Sequence, residues 1–149
     1  MFKNEKGFTL IELLVVIGIL AILLAITLIA INPARQFGQA NDTKRRSDIN
    51  AILNAIGQYA ASNSGNIPTQ ITTTATDLSS TTALAPLCAL LVPTYLPALP
   101  VDPAGNNQAG IDQAGCSGAW DTQYTIVKDA NNRITVSATG YSGVITVTR

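Results

Sequence analysis

The chain has 149 residues, which suits one domain of ordinary size, and its formal net charge of zero gives no global pull toward nucleic acid or an anionic surface. It has no histidine, so the commonest general base and metal ligand is missing, and Lys128 is the single lysine after Lys44. Only 12% of residues are charged and 47% are hydrophobic, against about a quarter charged in a soluble domain.

The apolar excess lies at the N-terminus. The chain opens MFKNEKG, continues FTLIELLVVIGILAILLAITLIAI and then NPARQ. Leu13 to Ile31 is a run of 19 residues without a formal charge, close to the length needed to cross a bilayer core as a helix. An ordinary secretory signal shares the basic start, Lys3 and Lys6. Its apolar core is shorter, however, and Ala30-Ile31-Asn32-Pro33 is a poor cleavage site. A plain membrane anchor is the other simple reading. Neither explains Glu12, one turn inside the apolar run, where a carboxylate at bilayer depth costs up to about 2.5–3.5 kcal/mol. A chain cut after Gly7 would begin at Phe8 with a free amine, and the amine of a neighbouring copy could then pair with Glu12 in a laterally packed bundle.

The segment KGFTLIELLVVIGILAILLA resembles the class III signal of type IV prepilins and of type II secretion pseudopilins. That signal is a short basic leader ending in glycine, a phenylalanine, a glutamate five residues into the mature chain, and an apolar helix. Here these are Lys6, Gly7, Phe8 and Glu12, with Thr9 at a position that is often polar. The resemblance implies a leader over 1–7, cleavage between Gly7 and Phe8 by a prepilin peptidase, and N-methylation of Phe8. It also implies neutralisation of an adjacent subunit's Phe8 amine by Glu12 during assembly. Many pilins carry a proline late in the apolar run; this chain has Thr27 to Ile31 there and Pro33 just beyond, with Gly18 a weak point in the helix. Lys3 and Lys6 favour a cytoplasmic N-terminus, while Arg35 and Lys44 to Arg46 on the other flank favour the reverse. The leader motif and the cysteines place the C-terminal part outside.

After the transmembrane and assembly helix (8–31), an amphipathic helix is expected over 32–64, continuous with it or kinked at Asn32-Pro33. From Ile49 onward, Ile52, Leu53, Ile56 and Tyr59 recur at helical spacing and should pack on a sheet. Asn63-Ser64-Gly65-Asn66 and Pro68 end the helix. Gln39 to Asp48 (QANDTKRRSD) is polar on all sides. It reads as a solvated bridge or, in a filament, as a wall segment with Lys44 to Arg46 facing a neighbour's acidic groups. Three basic residues between Asp42 and Asp48 make a weak nucleic-acid patch.

A variable loop region (65–119) follows. Thr69 to Thr82, rich in Thr and Ser, reads as surface loop, Leu84 to Leu91 as one or two helical turns, and VPTYLPALPVDPAGNN as extended, turned backbone. TYLPALPVDPAGN resembles the segment that leads into the sheet of major pseudopilins and related pilins. Cys88 and Cys116 share no C-x-x-C spacing. In an exported domain they can form a disulfide worth about 3–4 kcal/mol, the alternative being one buried and one free thiol. Over 120–149 the runs Gln123–Val127, Ile134–Ala138 and Val144–Val147, separated by KDANNR and TGYSG, predict an antiparallel sheet of three or more strands. Tyr124, Ile126, Ile134, Val136, Ile145 and Val147 alternate across its faces, and Trp120 belongs at the margin. The fold class is therefore α+β: a long N-terminal helix whose second half packs on a C-terminal antiparallel sheet, with 32–149 forming one globular domain.

No nucleophile–base pair is evident, and the chain reads as a non-enzyme that needs no cofactor. Calcium is a minor expectation, since Asp102, Asn106, Asn107 and Asp112 form one oxygen-bearing loop and Asp129, Asn131 and Asn132 another. The resemblance implies a homo-oligomeric helical filament. The precursor would sit as a single pass in the cytoplasmic membrane among lipid, and would meet the prepilin peptidase and an inner-membrane assembly platform. The filament would be an extracellular pilus for adhesion, motility or DNA uptake, with DNA a ligand only in the last case. The alternatives are a periplasmic pseudopilus of a type II secretion system and a monomeric, membrane-anchored binding domain.

Overall fold

A computed structural model describes residues 7–105 and 109–149. The chain divides into two compact units, Met1–Phe37 and Gly38–Arg149.

In the first unit, helix α1 spans Leu10–Ile31, and none of its residues is buried. Its 22 residues rise about 33 Å, matching a hydrocarbon core of about 30 Å. Thr27 returns its hydroxyl to the Leu24 carbonyl (2.9 Å), so this polar side chain adds no unpaired donor. The helix stops at Asn32, which adopts the left-handed conformation (φ 47°, ψ 79°) that Asn tolerates better than most residues. Asn32 then starts the next helix: its side-chain and backbone oxygens both accept from the Arg35 N–H. Pro33 takes the first helical position, where its missing N–H costs nothing. The two helices anticipated as continuous or kinked are thus separate elements with a one-residue break.

Helix α2 (Pro33–Ser62) carries Ile49, Ile52, Leu53, Ala55 and Ile56 buried on one face. Ser64 and Gly65, both at positive φ, turn the chain out of it, and Gly65 N–H reaches the Ala60 carbonyl (2.8 Å). The sheet has four antiparallel strands in the order β1-β2-β3-β4: Thr76–Ser79, Asp121–Lys128, Ile134–Gly140 and Gly143–Thr148. Ile126 pairs with Val136 and Val136 with Val147. Tyr124, Ile126, Ile134, Val136, Ala138 and Ile145 are buried and join the α2 face and Leu78 in one core. Helix α3 (Ala85–Leu91) adds Leu87, Cys88 and Leu91, and a single 3-10 turn, Gly115–Ser117, holds the other cysteine. Cys88 and Cys116 are bridged, with Cα atoms 5.6 Å apart.

Two expectations need correction. Strand β1 lies inside the Thr/Ser-rich stretch read as loop. It pairs with β2 (Thr76 with Ile126, Asp77 with Thr125), and its polar groups are met by distant ones. Thr122 donates to the Leu78 carbonyl (2.7 Å), and Thr125 to the Asp77 carboxylate (2.9 Å). The Gln39–Asp48 segment is not solvated all round, because Asp42, Arg45 and Asp48 are buried.

Ile52 is fully buried between α2 and the sheet. Ile52→Ala should lower stability by about 2–5 kcal/mol in urea unfolding, with the slope unchanged.

Candidate assembly site

The residues that the N-terminal pattern singles out lie at the start of α1. Gly7, Phe8 and Thr9 precede the helix, and Phe8 is 86% exposed. Thr9 is the N-cap, with extended backbone (φ −79°, ψ 152°). Its hydroxyl accepts the Glu12 N–H (3.3 Å), and Glu12 Oε2 accepts the Thr9 N–H (2.9 Å) and the Thr9 hydroxyl (2.8 Å). This reciprocal capping box satisfies two helix-start donors at once and gives the carboxylate two donors within its own chain. Both bonds fall on one oxygen; among the described residues no donor reaches Oε1. The Thr9-x-x-Glu12 spacing was readable in the sequence, but its capping role was not drawn from it.

A second cluster was not anticipated. Asp42, Arg45 and Asp48 continue the buried stripe of α2 toward its N-terminus at spacings of three, so the same face changes from Ile to charge. Arg45 is 5% exposed and held on both sides. Its Nε and Nη2 donate to the two oxygens of Asp102 (2.6 and 2.8 Å), and its Nη1 donates to Asp42 (2.8 Å). Asp42 also accepts the N–H groups of Tyr141 (2.8 Å) and Ser142 (3.3 Å) in the β3–β4 turn. Gly140 beside them must stay glycine: a Cβ there would meet the Gly143 carbonyl at 2.7 Å and Asp42 at 2.9 Å. Asp48 accepts from Lys44 (2.9 Å) and from the buried Tyr124 hydroxyl (3.0 Å). Arg45 therefore spends its charge within the chain instead of facing a neighbour's acidic groups.

The electrostatics follow this geometry. The Tyr141 N–H, and then Arg45, hold the Asp42 carboxyl below its ordinary value. Burial opposes ionisation of Asp102, but the Arg45 fork outweighs it and the carboxyl stays low. Asp102, and then Asp42, raise Arg45 above its ordinary value. Burial and then Asp48 push the Tyr124 phenol up.

For the calcium reading, Asp102 is taken by Arg45, and Asp112 accepts the Gly115 N–H (2.8 Å). Asp129 binds Arg133 (2.7 Å) and the Asn131 N–H (2.8 Å). Asn106 and Asn107 lie outside the described residues, as do Lys3 and Lys6. Among the described residues, no three His, Cys, Asp or Glu side chains are grouped to hold a metal. Trp120 sits at the sheet margin just before β2 and donates Nε1–H to the Cys116 carbonyl (3.2 Å).

The prokaryotic N-terminal methylation motif matches residues 2–28. A type IV wide pilus major component, PilA4 of Thermus thermophilus, is 38% identical over 81 residues, or 54% of this chain. The chain is thus similar to type IV pilins in its N-terminal motif and over about half its length. The match spans 60% of that relative's length, and no solved structure matches.

The two low carboxylates stabilise the fold above their unfolded value near pH 4. That contribution is lost as pH falls through their lower folded values. Asp102→Asn should destabilise the chain by about 2–3 kcal/mol at pH 7, because buried Arg45 keeps its charge and loses a partner. Urea midpoints measured from pH 7 to pH 2.5 should fall less steeply for this variant than for the parent.

Proposed function

We propose that this chain is the structural subunit of a type IV pilus filament reaching outside the cell, serving adhesion, motility or DNA uptake. The observation that carries the reading is Glu12, a lone carboxylate in a 22-residue apolar helix, one turn from Phe8. A monomeric anchor has no use for it. On this reading the precursor is inserted through α1, and a prepilin peptidase cuts between Gly7 and Phe8. Phe8 is then N-methylated, and an inner-membrane platform passes the subunit into a helical homo-oligomer.

The capping box suits both stages. In the precursor, Thr9 supplies Glu12 with two donors, which lowers the cost of a carboxylate in the apolar layer. During assembly, Oε1 accepts the Phe8 ammonium of a neighbouring copy in a low-dielectric bundle, where a charge-assisted bond is strong. The relative's description as a pilus component favours a pilus over a secretion pseudopilus.

Glu12→Ala and Glu12→Lys should each abolish filaments in sheared-cell fractions while cleavage continues. Normal filaments from either variant would overturn the pairing. Mass spectrometry of the sheared fraction should find a methylated peptide beginning at Phe8, whereas the same peptide confined to membranes would favour a pseudopilin. Gly7→Leu should leave a full-length, membrane-retained precursor, and mature protein starting at Phe8 from that variant would refute the processing step.

A further inference from the structure

Strand β4 forms one edge of the sheet. Ile134 and Arg149 exchange two backbone bonds (2.6 and 2.9 Å), so they are a hydrogen-bonded pair of the β3–β4 ladder. Such pairs alternate with non-bonded ones, and the register puts Val147, Ile145 and Gly143 in the bonded class. The backbone N–H and C=O groups of Val144, Thr146 and Thr148 therefore point away from β3. Among the described residues nothing bonds them, and all three residues are exposed.

Natural sheet edges are usually blunted by charge, proline, a bulge or a covering element. The sequence of β4, GVITVT, has neither charge nor proline, and its register with β3 is unbroken from Thr148 to Gly143. The neighbouring charge is drawn off the edge: the Arg149 guanidinium bonds Asn50 (3.1 Å) and Asn54 on α2. Val144, at 72% exposure, is also the most exposed large hydrophobic residue among the described residues of the unit Gly38–Arg149.

This edge fits a copy of itself. Turned about a two-fold axis at Thr146, two β4 strands run antiparallel, with Thr146 facing Thr146 and Val144 facing Thr148. Each facing pair would exchange two N–H···O bonds. On the outer face, the row Ser137–Thr146 continues into Thr146–Ser137 of the second copy. The Thr135–Thr148 hydroxyl pair (2.7 Å) gains Val144 of the second copy as its next neighbour. Thr–Thr and β-branched cross-strand pairs are favourable, and no like charges meet along the strands.

We propose that β4 is a strand-pairing edge whose occupant is β4 of a second copy, giving one continuous sheet across two globular units. The contact is isologous and closes at two copies. Heterologous contacts build a helical filament, so this one adds to such an assembly instead of building it. It lies within one unit and does not rest on the reading of Glu12. An interface of this size is reversible.

The test uses the full-length chain in detergent micelles, oxidised with copper phenanthroline and read on non-reducing gels. The native cysteines are bridged, so an added cysteine is the reactive thiol. Facing Cα atoms in a hydrogen-bonded pair lie about 5.5 Å apart, within reach of a disulfide. Thr146→Cys should dimerise at least about fivefold faster than Thr73→Cys, which sits in an exposed loop. Val144→Cys alone should match Thr73→Cys, because its two copies would be offset by about 13 Å along the strands. It should nevertheless cross-link to a mass-tagged Thr148→Cys. Adding Thr146→Lys to both partners of that mixture should abolish the cross-link, since two ammonium groups would then face each other. Thr146→Cys no faster than Thr73→Cys would overturn the pairing. Equal self-cross-linking at positions 144 and 146 would overturn the two-fold register and the proposal with it. A discrete adduct of Thr146→Cys with another protein in intact cells, without dimer from the purified chain, would overturn the second copy in favour of another protein's strand.

Discussion

An apolar helix with every side chain exposed must be covered by something other than its own fold. For α1 this means burying side chains such as Leu13, Val16, Leu20 and Leu24, each worth about 1.5–3 kcal/mol when removed from water. Lipid in a precursor or neighbouring helices in a filament would each cover them, so on the proposed reading the same surface would serve both states. Glu12 is then the discriminating residue. It is out of place in lipid alone, tolerable there because Thr9 supplies donors, and best matched where another chain brings a cation.

The globular unit is built on a different economy. One stripe of α2 runs from charge to hydrocarbon, Asp42-Arg45-Asp48 and then Ile49-Ile52-Ile56, and the sheet answers each part in kind. Ile126, Val136 and Ile145 meet the isoleucines, while the Tyr124 hydroxyl meets Asp48 and the Tyr141 and Ser142 amides meet Asp42. Asp102, 57 residues from Arg45 in sequence, fastens the proline-rich segment to the same helix. Buried ion pairs of this sort add little net stability, but they fix register, because any slip would strand Arg45 without a carboxylate.

What could be read from the sequence divides along the same line. α1, the Ile49–Ile56 face, and strands β2 to β4 are written as local patterns of hydrophobicity, and their positions follow from period alone. β1 is not, because Thr76, Asp77 and Ser79 look like loop residues until Thr125 and the β2 backbone supply their partners. Arg45 is illegible for the same reason: in QANDTKRRSD nothing local distinguishes it from exposed Arg46, and the difference is made by Asp102. Glu12 was legible because its neighbours are uniformly apolar. Its bond to Thr9 follows from a spacing that recurs at many helix starts and is informative only once the helix boundary is known.

The polar, four-residue β1 has one more implication. It is an edge strand, it is short, it carries Asp77, and its pairing with β2 is broken by a register shift opposite Gln123, whose φ is 62°. Such an edge makes a poor template for a further strand. On the proposed reading, in which copies stack through their helices, a sheet edge that resists pairing keeps them from stacking through their sheets instead. The threonine-rich stretch thus makes one of the sheet's two edges, the other being β4, a poor partner for cross-β pairing.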